Sequence, residues 1–126
     1  RVAIVGAGNL GSALTGYTGF REHNFRIVAA FDIEPDRVGV TTQAGVEIHH
    51  LDDLGAVAAK ENVDIAVLAV PVAGAQSAAD VVVRAGIRAI LNFAPTVLAV
   101  PPGVRLRNVD LSVEMEALSF YLAQRS

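Results

Sequence analysis

No stretch of this chain restricts its fold as tightly as Val2-Ala3-Ile4-Val5-Gly6-Ala7-Gly8-Asn9-Leu10-Gly11. The short apolar run reads as a buried strand, and the glycines at 6, 8 and 11 match the G-x-G-x-x-G spacing that opens a dinucleotide-binding βαβ unit. Each glycine has its own physical reason. Gly6 lets the chain turn sharply off the strand, Gly8 removes a Cβ where a pyrophosphate approaches the backbone, and Gly11 lets the next helix lie close to the strand. The phosphates would then meet the unpaired N–H groups of a helix start.

A glycine pattern alone fits many tight turns, so the flanking sequence has to agree with it. An amphipathic stretch follows, with Leu10, Ala13, Leu14 and Tyr17 on one side, and a second apolar strand, Ile27 to Phe31, ends in Asp32. A carboxylate about 20 residues beyond the last glycine is where both hydroxyls of an adenosine ribose are accepted. It would repel a 2′-phosphate, which favours NAD over NADP. The competing reading has Asp32 capping the turn Ile33-Glu34-Pro35-Asp36. The residues expected along the cofactor are Gly6, Ala7, Gly8, Asn9, Leu10, Gly11, Asp32 and Ile33 at the first two strand ends. Val70, Pro71, Asn92, Phe93, Ala94 and Pro95 are expected at the later ones.

The remaining chain alternates in the same way. Val46 to His49 is a short strand candidate, Asp52 to Lys60 a helix closed by Asn62, and Val63 to Val70 a near-continuous apolar run, as a central parallel strand requires. Ala73 to Arg84 reads as a helix, Ile87 to Leu91 as a strand, Val104 to Val109 as an edge strand, and Leu111 onward as a helix. This order predicts an α/β fold with a doubly wound parallel sheet of Rossmann type, its ligand outside the carboxyl ends of the strands. Residues 1–110 would form the nucleotide-binding core and residues 111–126 a separate dimerisation helix. In that helix Leu111, Met115, Leu118 and Leu122 make a narrow apolar seam. Spacing alone leaves open whether it folds back on its own sheet or meets a partner.

The 126 residues suit one domain, and 52% apolar against 18% charged residues mark a globular chain. A net charge of −3, with ten scattered basic residues, argues against a nucleic-acid surface on this segment. The chain has no cysteine, which excludes disulfides and thiolate chemistry. No apolar run is long enough to span a membrane, and a soluble, cytoplasmic protein is expected. Arg1 stands at the head of a strand with no initiator methionine before it, so a fragment lacking an upstream part is expected as well.

Hydride transfer needs an acid or base near the substrate carbon and a cation for a substrate carboxylate. His23 falls at the wrong end of the sheet, and His49 and His50 fall near the adenine side. No catalytic residue and no metal site are therefore assigned. The groups expected at the nicotinamide, Pro71, Phe93, Ala94 and Pro95, are apolar or small. An apolar site penalises the positively charged oxidised ring relative to the neutral reduced one, and reading that difference requires no catalyst.

The run Gly6 to Leu14, Tyr17 with Gly19-Phe20, Phe31-Asp32, Val70-Pro71, Ile90 to Pro95 and Asn108 to Ser112 together resemble the core domain of the Rex family of bacterial redox-sensing repressors. The resemblance covers essentially the whole chain. Asn92 to Pro95 and Val109 to Ser112 are its more specific parts. It implies competitive binding of NADH and NAD, a homodimer in which the last helix reaches the other subunit, and operator DNA held by an N-terminal winged-helix domain that this chain lacks. It further implies a switch pair of Tyr17 with the partner's Asp110, and an approach of the partner's Leu111 to the nicotinamide. The residues themselves also admit a Tyr17 packed in the core and an Asp110 that caps the last helix. Two other functional readings stay open, the cofactor domain of an NAD-dependent dehydrogenase or reductase and a CoA-binding module.

Overall fold

Val2–Val5 (β1) is buried along its whole length, as its lack of polar side chains requires. A computed structural model of the chain describes residues 1–125; the side chains of Leu111, Glu114 and Arg125, and all of Ser126, lie outside the described residues. After β1 come Asn9–Thr15 (α1), Thr18–Glu22 (α2), Ile27–Asp32 (β2) and Ile48–His50 (β3). A turn of 3₁₀ helix, Leu51–Asp53, then leads into Leu54–Glu61 (α3), Ile65–Leu68 (β4) and Val72–Arg84 (α4). Ala89–Asn92 (β5), Arg105–Asn108 (β6) and Leu111–Arg125 (α5) complete the chain.

The six strands form one parallel sheet in the order β3-β2-β1-β4-β5-β6. Val5 is paired with Phe31 on one side and Leu68 on the other, so the carboxyl ends of β2, β1 and β4 lie level. Strand order reverses between β1 and β4, which opens a crevice at the end of β1 where the glycine-rich turn sits. The fold is the doubly wound α/β sheet expected from the alternation of elements.

Alternate residues of each strand feed two cores. Ala3, Val5, Ala29, Phe31, Ala66, Leu68 and Ile90 pack beneath α3 and α4, where Leu54, Ala75, Ala79 and Val82 are fully buried. Val2, Ile4, Ala30, Ile48 and Val67 form the second core on the opposite face, with Leu14 of α1 against it. Asn62 ends α3 in the left-handed conformation, φ 53° and ψ 52°, as its place after Lys60 predicts.

Two expectations need correction. The first helix stops at Thr15, where Gly16 ends it, so Tyr17 does not share its apolar face. Tyr17 precedes α2 instead and is 58% exposed, which removes the core-aromatic reading. α1 docks through Gly11 and Thr15 rather than Leu10 and Ala13, because a glycine lets the helix axis come closest to the strand. Of the two arrangements that spacing leaves open for α5, folding back on its own sheet is not the one seen: Val113, Met115, Leu118, Phe120, Tyr121 and Leu122 are all exposed.

Candidate functional site

The glycine-rich turn owes its shape to the crossing of β1, α1 and β4. Gly6 has φ +99°, a region that L side chains avoid, and a Cβ there would strike the carbonyl of Ala69. A Cβ on Gly11 would strike the Gly6 carbonyl oxygen. Around Gly8 the neighbours stand back, with the Arg37 guanidinium the nearest group at 3.8 Å from such a Cβ. The turn is therefore packed tight at its two ends and open in its middle. With seven residues, α1 contributes little dipole; what it offers is first-turn N–H groups without an intrahelical partner.

Asp32 lies across from this turn, its side chain 6% exposed. Its Oδ2 accepts the N–H of Ala7 at 2.7 Å and that of the Arg37 guanidinium at 3.2 Å. Its Oδ1 accepts the N–H groups of Ile33 and Glu34 at 2.7 and 3.0 Å. Burial pushes the pKa of this carboxyl up, but the hydrogen bonds from Glu34, Ala7, Ile33 and Arg37 outweigh it and hold the group below its ordinary value. The turn-capping reading is thus correct for Oδ1, while Oδ2 ties β2 to the glycine-rich turn.

Gly6, Gly8, Asp32, Arg37, Val70 and Pro71 line one cleft of about 340 Å³ at the carboxyl ends of the strands. Asn9, Leu10 and Ile33 are exposed around it. Pro71 precedes α4 with an extended backbone, so the chain passes from β4 into the helix through Ala69, Val70 and Pro71. Arg37 was not foreseen. It stands five residues after Asp32 in a polar turn, where a cation reads as a solvated surface group.

Phe93, Ala94 and Pro95 fall further along the same end of the sheet. Pro95 is exposed, Phe93 is half-buried and Ala94 is buried. Asn92 turns its amide inward: Oδ1 accepts the N–H of Ala94 at 2.9 Å, and Nδ2 donates to the carbonyl of Ala94 at 2.9 Å and to Asn108 Oδ1 at 3.0 Å. Completely buried, Asn92 shapes the loop and ties it to β6. A second cavity of about 290 Å³ separates this loop from the root of α5, with Ala94, Pro95, Asn108 and Asp110 among its walls.

Asp110 Oδ1 accepts the N–H groups of Ser112 and Val113 at 2.9 and 3.3 Å, which makes it the cap of α5. Tyr17 lies over Gly19, its ring 5.0 Å from that of Phe20 in an edge-to-face arrangement. Of the remaining residues on the last helix, Met115, Leu118 and Leu122 are exposed, and the side chain of Leu111 is outside the described residues. The three histidines have local partners: His23 the carbonyl of Gly19, His49 the ring of Phe31, and His50 the N–H of Asp52.

On the sheet face opposite α4, an apolar groove of about 330 Å³ lies open. Val2, Ile65, Val67 and Leu91 form its floor, and Phe20 and Phe25 one wall. Among the described residues no helix is long and apolar enough to cross a membrane.

Comparison with known proteins agrees with this geometry. Residues 1–96 match the family model described as CoA binding domain. The chain is 51% identical over 124 residues to a redox-sensing transcriptional repressor Rex from Desulfitobacterium hafniense, covering 98% of this chain and 59% of that protein. Among solved structures it resembles RSP, a Rex-family repressor, in complex with beta-NADH, at 40% identity and a TM-score of 0.91, over 98% of this chain and 60% of the other. The structure of RSP in complex with beta-NAD+ and operator DNA is matched with a TM-score of 0.89, at 40% identity, over 98% of this chain and 57% of the other. The chain thus spans under two-thirds of the length of these relatives.

Proposed function

The chain belongs to the CoA-binding domain family and matches the cofactor-binding core of the Rex repressors over nearly its whole length, and from this premise we propose that it is a non-catalytic sensor of reduced against oxidised nicotinamide dinucleotide. The observation that carries the reading is the ionised Asp32 facing the open middle of the glycine-rich turn. A free ribose diol satisfies such a carboxylate. The phosphorylated ribose of CoA would place further negative charge beside it, so the family's name does not transfer to the ligand here.

The residues fit a dinucleotide. Gly8 and the first turn of α1 would receive the diphosphate, Asp32 the adenosine ribose, and Val70, Pro71, Phe93 and Pro95 the nicotinamide. When bound, the cofactor supplies a ring whose charge depends on its redox state. The chain's part is to hold that ring among apolar groups, which disfavours the charged form.

Coupling would run through a homodimer. The exposed apolar residues of α5 and the open groove over Ile65, Val67 and Leu91 complement each other, and an exchanged α5 would cover both. In the dimer Tyr17 would meet the partner's Asp110, and the partner's Leu111 would approach the nicotinamide. Bacterial cytoplasm is the setting proposed, with operator DNA held by a winged-helix domain upstream of residue 1 and released as NADH rises.

Calorimetric titration with NADH, NAD and CoA at one pH and salt concentration tests this. NADH is expected to bind at least about tenfold more tightly than NAD, a gap of about 1.4 kcal/mol. Equal affinities would return the dehydrogenase reading, and preference for CoA would overturn the ribose assignment.

A further inference from the structure

The carboxylate that should receive the ribose is already fully occupied. A carboxylate offers about four acceptor sites, and Asp32 uses four: the N–H groups of Ala7, Ile33, Glu34 and the Arg37 guanidinium. Three of these donors are main-chain groups fixed by the turn. The fourth is a side chain, 46% exposed, lying against Gly8 where the dinucleotide has to pass. Only Arg37 can leave without unfolding the turn.

We propose that Arg37 is a built-in competitor for the adenosine ribose, displaced from Asp32 each time a dinucleotide binds. This rests on the dinucleotide reading given above. A long, half-exposed side chain holds such a contact weakly, since ordering it costs rotamer freedom and water competes for both partners. Binding is then an exchange of one donor for another at Oδ2, and the affinity that remains is the difference between them. Arg37 acts at the adenosine end, remote from the ring that changes charge. It therefore sets the concentration range over which dinucleotide is bound and leaves the ratio of NADH to NAD affinity unchanged. Affinity and discrimination are in this way assigned to separate residues.

The test compares the wild-type chain with Arg37→Met, which keeps the apolar stem, and Arg37→Lys, which keeps the charge without the planar fork. Each is titrated with NADH, NAD and ADP-ribose, after thermal unfolding has established that all three proteins are folded. Arg37→Met is expected to tighten all three ligands by the same factor of about two to five, the worth of a half-exposed ion pair, with Arg37→Lys between it and wild type. Weaker binding of all three would make Arg37 a ligand contact, and unchanged binding would leave it without a role; either overturns the proposal. A factor that differs between NADH and NAD would overturn the separation of affinity from discrimination. Binding of ADP-ribose without NADH would remove the nicotinamide reading while Arg37 is still judged on ADP-ribose. Binding of none of them by any variant removes both.

Discussion

Asp32 is the residue on which the cleft depends, because it ties the second strand to the glycine-rich turn and caps its own turn at the same time. Its folded-state pKa lies below the ordinary value, so it contributes stability that is fully present above the unfolded-state pKa of about 3.9. That stability disappears as the pH falls through the lower folded value. Asp32→Asn is expected to lower the unfolding midpoint at pH 7, with the gap to wild type closing as the medium is taken below about pH 4. Thermal melts across that range check the sign; a gap that widens in acid would mean the carboxylate is not held ionised. In the same variant NADH affinity should drop by about 1–3 kcal/mol, the worth of a charge-assisted hydrogen bond, as calorimetry would measure.

At the scale of elements, the sequence was most legible where one physical demand acted alone. Glycines forced by steric contact, apolar runs covered on both faces and the left-handed Asn62 all fell where spacing placed them. The short helices were less legible, because Gly16 breaks a pattern that periodicity alone would carry through to Tyr17. Asn92 illustrates the same limit in the site: a polar residue at a strand end reads as a ligand contact, and only tertiary packing reveals that its amide is used up on the loop. Asp110 was open to two readings, and its cap is now visible. Asp110→Ala should therefore cost about 1 kcal/mol of helix stability, seen as lost far-UV ellipticity and earlier melting. Were the proposed pairing with Tyr17 across a dimer its larger role, the change in dimer shape expected on NADH binding, followed by small-angle scattering, would vanish while the melt stayed unchanged.

For the molecule as a whole, α5 is the element that a single chain leaves unfinished. A helix with apolar side chains on several faces is stable only when buried, and Val113, Met115, Leu118, Phe120, Tyr121 and Leu122 are each about half or more exposed. If the proposed dimer buries α5, Leu118→Glu should halve the sedimenting mass to that of one chain of 13.2 kDa, because a carboxylate buried unpaired in that contact would cost several kcal/mol. A variant that still sediments as a dimer would place the subunit contact elsewhere. The buried Asn92 amide has a mechanical meaning beyond its hydrogen bonds. It fastens the Phe93 to Pro95 loop to Asn108, two residues before the cap of a 15-residue helix. That helix is about 22 Å long, so a tilt of about 5° at its root carries the far end about 2 Å. The Asn92–Asn108 bond thus joins the loop to the strand from which α5 springs, and a displacement there too small to disturb the sheet would emerge magnified at the far end of the helix.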